Sequence, residues 1–100
     1  MKLFNTPLKL DEKPKHVQKA GAFEKTNIVN IQLQQGETIA EHAVDADVII
    51  IVKSGDVTFT VEGEPVKVTP ETVLHMEPLE KHSLEAQSAS DIMVIQVKRT

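Results

Sequence analysis

The pattern of apolar and polar residues first becomes regular near residue 27. Val29, Ile31 and Leu33 are apolar, and the residues between them are polar. A period of two is typical of a strand with one buried face. The sequence therefore predicts a half-buried strand that ends at the Gln35-Gly36 turn.

A run of five β-branched residues, Val48 to Val52, follows later in the chain. The run is too short for a helix and apolar on both faces, so it predicts a strand that is covered on both sides. Gly55 predicts a hairpin turn after it, because glycine readily takes the positive φ of a tight turn. Turn residues separate six further candidate strands, at residues 38–44, 57–61, 66–68, 72–76, 82–86 and 92–97.

Short strands at nearly even spacing, with no helical segment longer than a turn or two, predict an all-β fold, a sandwich or a closed antiparallel barrel. The chain has 100 residues, the size of one domain. We divide it into an extended N-terminal arm, residues 1–26, and a β-barrel domain, residues 27–100. The arm has no sustained period and is interrupted by Pro7 and Pro14.

Charge is divided unevenly between these two parts. The arm is rich in lysine and the remainder is acidic, with a net charge of −4 for the whole chain. The arm is either solvated or pairs with the acidic body of a second subunit. Nucleic acid is a poor partner for such a surface, which also lacks the Trp and Tyr that stack on exposed bases.

Composition excludes several further classes of protein. The chain has no cysteine, and so has no disulfide, thiolate metal site or cysteine nucleophile. Residues 1–10 lack the apolar core of a signal peptide, and no apolar run reaches the length of a membrane span. We therefore expect a cytoplasmic protein with no membrane partner.

Four histidines, at positions 16, 42, 75 and 82, are the main candidates for catalytic or ligand-binding residues. Strand parity places Ala40, His42 and Val44 on one face. If that face is interior, the imidazole needs a hydrogen bond, a metal or an acidic ligand. Taken alone, a single histidine on a strand is more often a satisfied core residue than a ligand. His16 lies in the basic arm, where we expect it to be solvated.

Two segments resemble the conserved motifs of the cupin family, and the resemblance covers about residues 30–98. Gly36 to His42, with the apolar run and Gly55 after it, is similar to the first cupin motif. Met76 to His82 is similar to the second, a Pro-rich turn that leads to a single histidine. The resemblance implies a small antiparallel β-barrel, or jelly roll.

In metal-binding cupins the two motifs together hold a divalent ion. Carried onto this chain, the ligand positions are His42, Val44, Val48 and His82, and valine cannot bind a metal. Leu79 also stands where the second motif usually has glycine, so the turn there is expected to differ locally.

A third ligand could come from another His or carboxylate, since these bind Zn, Fe, Ni or Mn. His75 is the strongest candidate, although the resemblance points Met76 inward and hence His75 outward. Asp45 and Asp47 are expected to close the turn after the first-motif strand. Without a third ligand, two imidazoles would hold a divalent ion only weakly.

We predict a binding module whose interior is largely apolar, with His42 and His82 as polar groups. The alternative is a divalent-metal-dependent enzyme, a dioxygenase or isomerase, with these two histidines as ligands. A third reading is a metal-free enzyme in which one of them acts as general acid or base. The predicted pocket is lined by Leu33, Val44, Val48, Ile50, Phe59 and Met93.

The family resemblance also implies a homodimer. A doubly apolar strand, the open edge of a sheet and an arm with no obvious packing partner favour association. An arm exchanged between subunits would add a strand to a neighbouring sheet. The apolar contacts of such an arm would be Leu3, Phe4, Leu8, Val17 and Phe23.

Overall fold

The computed structural model describes all 100 residues, which form nine β-strands and no helix. The protein accordingly has no helix that could span a membrane. The strands are β1 Lys15–Phe23, β2 Thr26–Leu33, β3 Thr38–His42, β4 Asp47–Ser54, β5 Val57–Val61, β6 Glu64–Val68, β7 Val73–Met76, β8 His82–Ala86 and β9 Ser90–Val97.

Two antiparallel sheets form the molecule. The five-stranded sheet has the order β1-β2-β9-β4-β7, and the four-stranded sheet has the order β3-β8-β5-β6. A single cluster of 13 buried apolar residues draws on both sheets and fills the space between them. This arrangement confirms the predicted all-β jelly roll.

Strand β4 shows how the sequence pattern maps onto this core. Val48, Ile50 and Val52 are buried between the sheets, whereas Ile49 is half-buried and Ile51 is exposed on the outer face. Within one chain only the inner face of β4 is covered, so the prediction of cover on both faces holds for one face. The outer face of β4 therefore leaves apolar surface in contact with solvent.

The N-terminal region contains a strand that the sequence pattern did not predict. Strand β1 pairs with β2 of its own chain, and its register shifts between Lys19 and Gly21. The bulge interrupts the alternation, and few apolar residues mark the strand, so no period of two is visible in the sequence. His16, expected to be solvated, is half-buried on this strand and shares a hydrogen bond with Gln18.

Residues before β1 lie across the outer face of the five-stranded sheet. The side chain of Gln32 accepts a hydrogen bond from the Lys9 amide at 2.7 Å and donates one to the Pro7 carbonyl at 2.8 Å. Phe4 stacks on Phe23, and a methyl group added at Gly21 would overlap the Phe4 ring. The arm thus contacts its own sheet, and its exchange between subunits stays a prediction.

The face of β2 that carries its polar residues is consequently not exposed to solvent. Asn30 and Gln32 are fully buried, and Asn30 donates hydrogen bonds to the Asp91 carboxylate and the Ile92 carbonyl. Gln32 in turn donates to the Asn30 side chain at 2.8 Å. These amides can be buried because each has hydrogen-bond partners. The strand that its alternation predicted to be half-buried is therefore buried on both faces at these positions.

Candidate functional site

The two sheets enclose a cavity of about 180 Å³. Nine of its twelve lining residues are apolar, and the other three are His42, His82 and Gln96. The apolar lining residues are Val17, Val29, Ile31, Ile39, Val48, Ile50, Phe59, Leu84 and Val94. A concave, mostly apolar space with a few polar groups is the usual form of a small-molecule site.

The structure brings some of the predicted pocket residues to this cavity. Val48, Ile50 and Phe59 line it together with the two histidines. These three residues lie on β4 and β5 with their side chains between the sheets, as the alternation on those strands requires.

The other three predicted pocket residues do not line the cavity. Leu33 is fully buried in the packed core, and Val44 is a half-buried residue that packs against the core. Met93 lies on the outer face of β9, where the Asn30 amide approaches its sulfur at 3.6 Å. The register of β9 turns its neighbour Val94 inward instead, because side chains on a strand alternate between faces.

His42 and His82 are direct partners across β3 and β8. Their ring centroids lie 4.3 Å apart with the planes at 61°. His82 is buried and His42 is exposed, so the pair runs from the interior to the cavity mouth.

A bulge in β3 decides which side chains face the cavity. Ile39 pairs with Leu84 and His42 pairs with His82, so three steps along β3 match two steps along β8. The extra residue places Ile39 and His42 on the same side, and both line the cavity. The prediction from simple parity, with Ala40 beside His42 on one face, is wrong for this reason.

Each imidazole is held by the backbone of its own strand. His42 Nδ1 donates to the Ala40 carbonyl at 3.0 Å, and His82 Nδ1 donates to the Glu80 carbonyl at 3.0 Å. A carbonyl can only accept, so Nδ1 carries the proton of each neutral ring. The lone pair of Nε2, at the far tip of the ring, is then the group that each histidine offers to a ligand.

The electrostatic environment favours the neutral form of the buried histidine. Burial lowers the pKa of His82 below its ordinary value of 6.5, its hydrogen bond to the Glu80 carbonyl partly opposes this, and the charge of His42 lowers it further. No Lys, Arg, Asp or Glu lines the cavity. The cavity wall therefore carries no permanently charged side chain, and the two Nε2 atoms are acceptors that it offers.

The donor set does not fit a resident divalent ion of the kind that cupins hold. Val48, at one of the ligand positions implied by the resemblance, lines the cavity with an apolar side chain. No group of three or more His, Cys, Asp or Glu residues is placed to hold a metal. Two imidazoles fall short of the three protein ligands usual in catalytic zinc sites.

His75 does not supply the missing ligand. Its neighbour Met76 is buried in the core, and His75 projects outward from β7 with about half of its side chain exposed. Its Nε2 lies 2.8 Å from the carboxylate of Asp47, which also accepts two hydrogen bonds from Arg99. Asp47 thus forms an ion pair with Arg99 and a hydrogen bond with His75, and this cluster is separate from the cavity.

Sequence reasoning missed seven lining residues, and only some of them left a signal. Val29 and Ile31 follow the alternation of β2, and Val94 follows that of β9, so the inward orientation of their side chains could have been predicted from the sequence. Val17 lies on the unpredicted strand β1. Gln96 is polar at an inward position, where no apolar pattern marks it.

Solved structures of similar fold include two that match almost the whole chain. An RmlC-like cupin family protein from Methanocaldococcus jannaschii, with a double-stranded β-helix fold, is 24% identical over 98% of this chain and 91% of its own, with a TM-score of 0.83. An RmlC-like cupin from Desulfovibrio desulfuricans is 19% identical over 97% and 96%, with a TM-score of 0.84. The Cupin_2 domain of an XRE family transcriptional regulator from Enterobacter cloacae is 16% identical over 88% and 99%, with a TM-score of 0.73.

These likenesses and the two-sheet architecture define the protein as a small cupin-type barrel, which confirms the resemblance read from its two motifs. The chain belongs to the family of AraC-like ligand binding domains, whose family model matches residues 31–97. No curated protein matches its sequence.

Proposed function

We propose that the protein binds a small molecule in the cavity between its sheets. The observation that carries this proposal is the cavity itself, about 180 Å³ with nine apolar residues among twelve and two anchored imidazoles. Binding of an apolar molecule there would remove apolar surface from water on both partners. The description of the matched family as ligand-binding domains supports the same proposal.

A fragment screen with a blocked variant tests this function. Ile39→Trp would fill the cavity from the edge strand β3, where Ile39 is only half-buried. Val66→Trp is the matched control, since Val66 is 39% exposed on the other edge strand of the same sheet and lies outside the cavity. We expect fragments seen by ligand-observed NMR to bind the wild type and the control but not Ile39→Trp. Equal binding to all three proteins would contradict the proposal.

The second candidate function is a divalent-metal-dependent cupin enzyme. The observation in its favour is that Nδ1 of both histidines is fixed by a backbone carbonyl, an arrangement that orients metal-ligating imidazoles in many proteins. The lack of a third ligand favours the binding module instead. Elemental analysis of untagged protein separates the two: near one equivalent of transition metal, lost in His82→Ala, would make the metal enzyme the better account.

We also propose that the protein is a homodimer formed through the outer face of the five-stranded sheet. The register of β2, β9, β4 and β7 brings six apolar side chains together on that face, Ile28, Ile49, Ile51, Val73, Met93 and Ile95. Ile51 and Val73 are 36% and 66% exposed. A second copy would cover this outer apolar patch, and apolar surface of this kind marks association in soluble proteins.

Light scattering at micromolar concentration tests the dimer. We expect the mass of two chains for the wild type and of one chain for Ile51→Lys. Val66→Lys, on the other sheet, should leave the mass unchanged. A single-chain mass for the wild type would refute this assembly without bearing on the cavity.

A further inference from the structure

The proposed function leaves open what kind of molecule enters the cavity. We propose that the ligand is a neutral molecule about the size of one aromatic ring that donates a hydrogen bond to Nε2 of the His42–His82 pair, with phenol as the simplest example. This inference rests on the proposed function, and it derives from the size of the cavity, the direction of its hydrogen bonds and the lack of Lys, Arg, Asp and Glu in its lining.

Cavity size suits a ligand of a single ring or its equivalent. An apolar cavity of about 150 Å³ is large enough to bind benzene. The cavity here measures about 180 Å³, which leaves room for a ring with one small substituent. Phe59, Ile50 and Leu84 give it apolar walls that suit such a ring.

The hydrogen bonds around the cavity require a donor on the ligand. Both Nδ1 atoms are already committed to the carbonyls of Ala40 and Glu80, so both Nε2 atoms are acceptors. The two rings are in edge contact, with centroids 4.3 Å apart, and both line the cavity, so one ligand can reach the pair. A ligand without a donor would displace water from these atoms and leave them unpaired, which carries a free-energy cost.

The absence of lysine and arginine from the cavity argues against anionic ligands. No lysine or arginine lines the cavity, and Gln96 is the only polar lining residue besides the histidines. A carboxylate would therefore lose its hydration without gaining a cation. A neutral hydroxyl meets both requirements, since it can donate to an imidazole and carries no charge.

Three probes of similar size separate these requirements, namely phenol, toluene and benzoate. We expect titration calorimetry at pH 7.5 to give phenol an affinity about five- to tenfold above that of toluene, as one net hydrogen bond provides. Benzoate should bind more weakly than phenol by at least the same factor. Toluene binding as tightly as phenol, or benzoate binding most tightly, would overturn the inference.

Variants of the two histidines test the atoms involved. In His42→Leu and in His82→Leu the ratio of phenol to toluene affinity should fall, and in the double variant it should approach one while toluene still binds. His75→Leu is the control, because His75 lies outside the cavity and should not change the ratio. If His82→Leu fails to fold, His42→Leu gives the test alone, since His42 is exposed. A phenol preference that persists without the histidines would overturn the inference.

These outcomes are distinct from failure of the proposed function. If phenol and toluene bind equally and Ile39→Trp abolishes both, the cavity is a binding site and only the ligand class is wrong. If none of the three probes binds, the ligand class is again wrong, and the fragment screen decides separately whether the cavity binds anything.

Discussion

At the scale of single residues, Leu79 occupies a backbone conformation that favours glycine. Its φ is 69°, and its amide donates to the Val44 carbonyl at 2.8 Å in the turn before β8. This position departs from the cupin pattern, because Leu79 stands where the second cupin motif usually has glycine. The turn therefore keeps the positive φ of a glycine position, and the Leu79 side chain makes that left-handed conformation strained.

Leu79→Gly should therefore stabilise the protein. Leu79 is 62% exposed, so little buried surface is lost, while relief of the strain should raise the free energy of unfolding by about 1 kcal/mol. Leu79→Ala is the control, since alanine removes the side chain but keeps Cβ and the strain. Urea denaturation measures both variants, and an equal change in the two would show that backbone strain is not the cause.

The titration of His82 is a second test at this scale. Its lowered pKa means that the unfolded chain takes up the proton more readily, so the fold loses stability as pH falls below 6.5. We expect the ring protons of His82 to titrate below pH 6.5 by NMR. His42→Ala should raise that midpoint, because it removes a like charge. A midpoint at or above 6.5 in the wild type would contradict a pKa of His82 lowered by burial.

At the scale of elements, most of the strands could be predicted because alternation and turn residues act locally. Strands β2 and β4 to β9 lie close to their predicted positions. The N-terminal strand could not be predicted, since its bulge breaks the period. The inward position of His42 beside Ile39 depends on a second bulge that only the pairing of β3 with β8 reveals.

The attachment of the arm offers a prediction about these elements. Gln32→Leu keeps a similar volume but removes the hydrogen bonds to Pro7 and Lys9 and the one to the Asn30 side chain. We expect it to cost about 1–3 kcal/mol and to speed tryptic cleavage after Lys9, which precedes Leu10. Gln35→Leu, at an exposed turn position, is the control. Unchanged cleavage in Gln32→Leu would show that the amide does not hold the arm.

At the scale of the whole molecule, the two cupin motifs predicted the barrel, and the structure places the rings of His42 and His82, one from each motif, 4.3 Å apart. The composition of the cavity was harder to predict, because it depends on which residues lie at the open end of the barrel rather than in its packed core. Leu33 and Ile31 lie on the same face of β2, yet only Ile31 borders the cavity. The position of a residue along the strand decides whether it borders the cavity, and the period of two in the sequence carries no information about that position.

The central claim is that a ligand enters between the sheets, and methyl NMR tests it most directly. Titration with a fragment that binds should shift the methyl signals of Val48, Ile50 and Val94, which line the cavity. The methyl signals of Ile51 and Val73, on the outer face, should stay in place. Shifts confined to the outer face, or no shifts at saturating fragment, would contradict the claim.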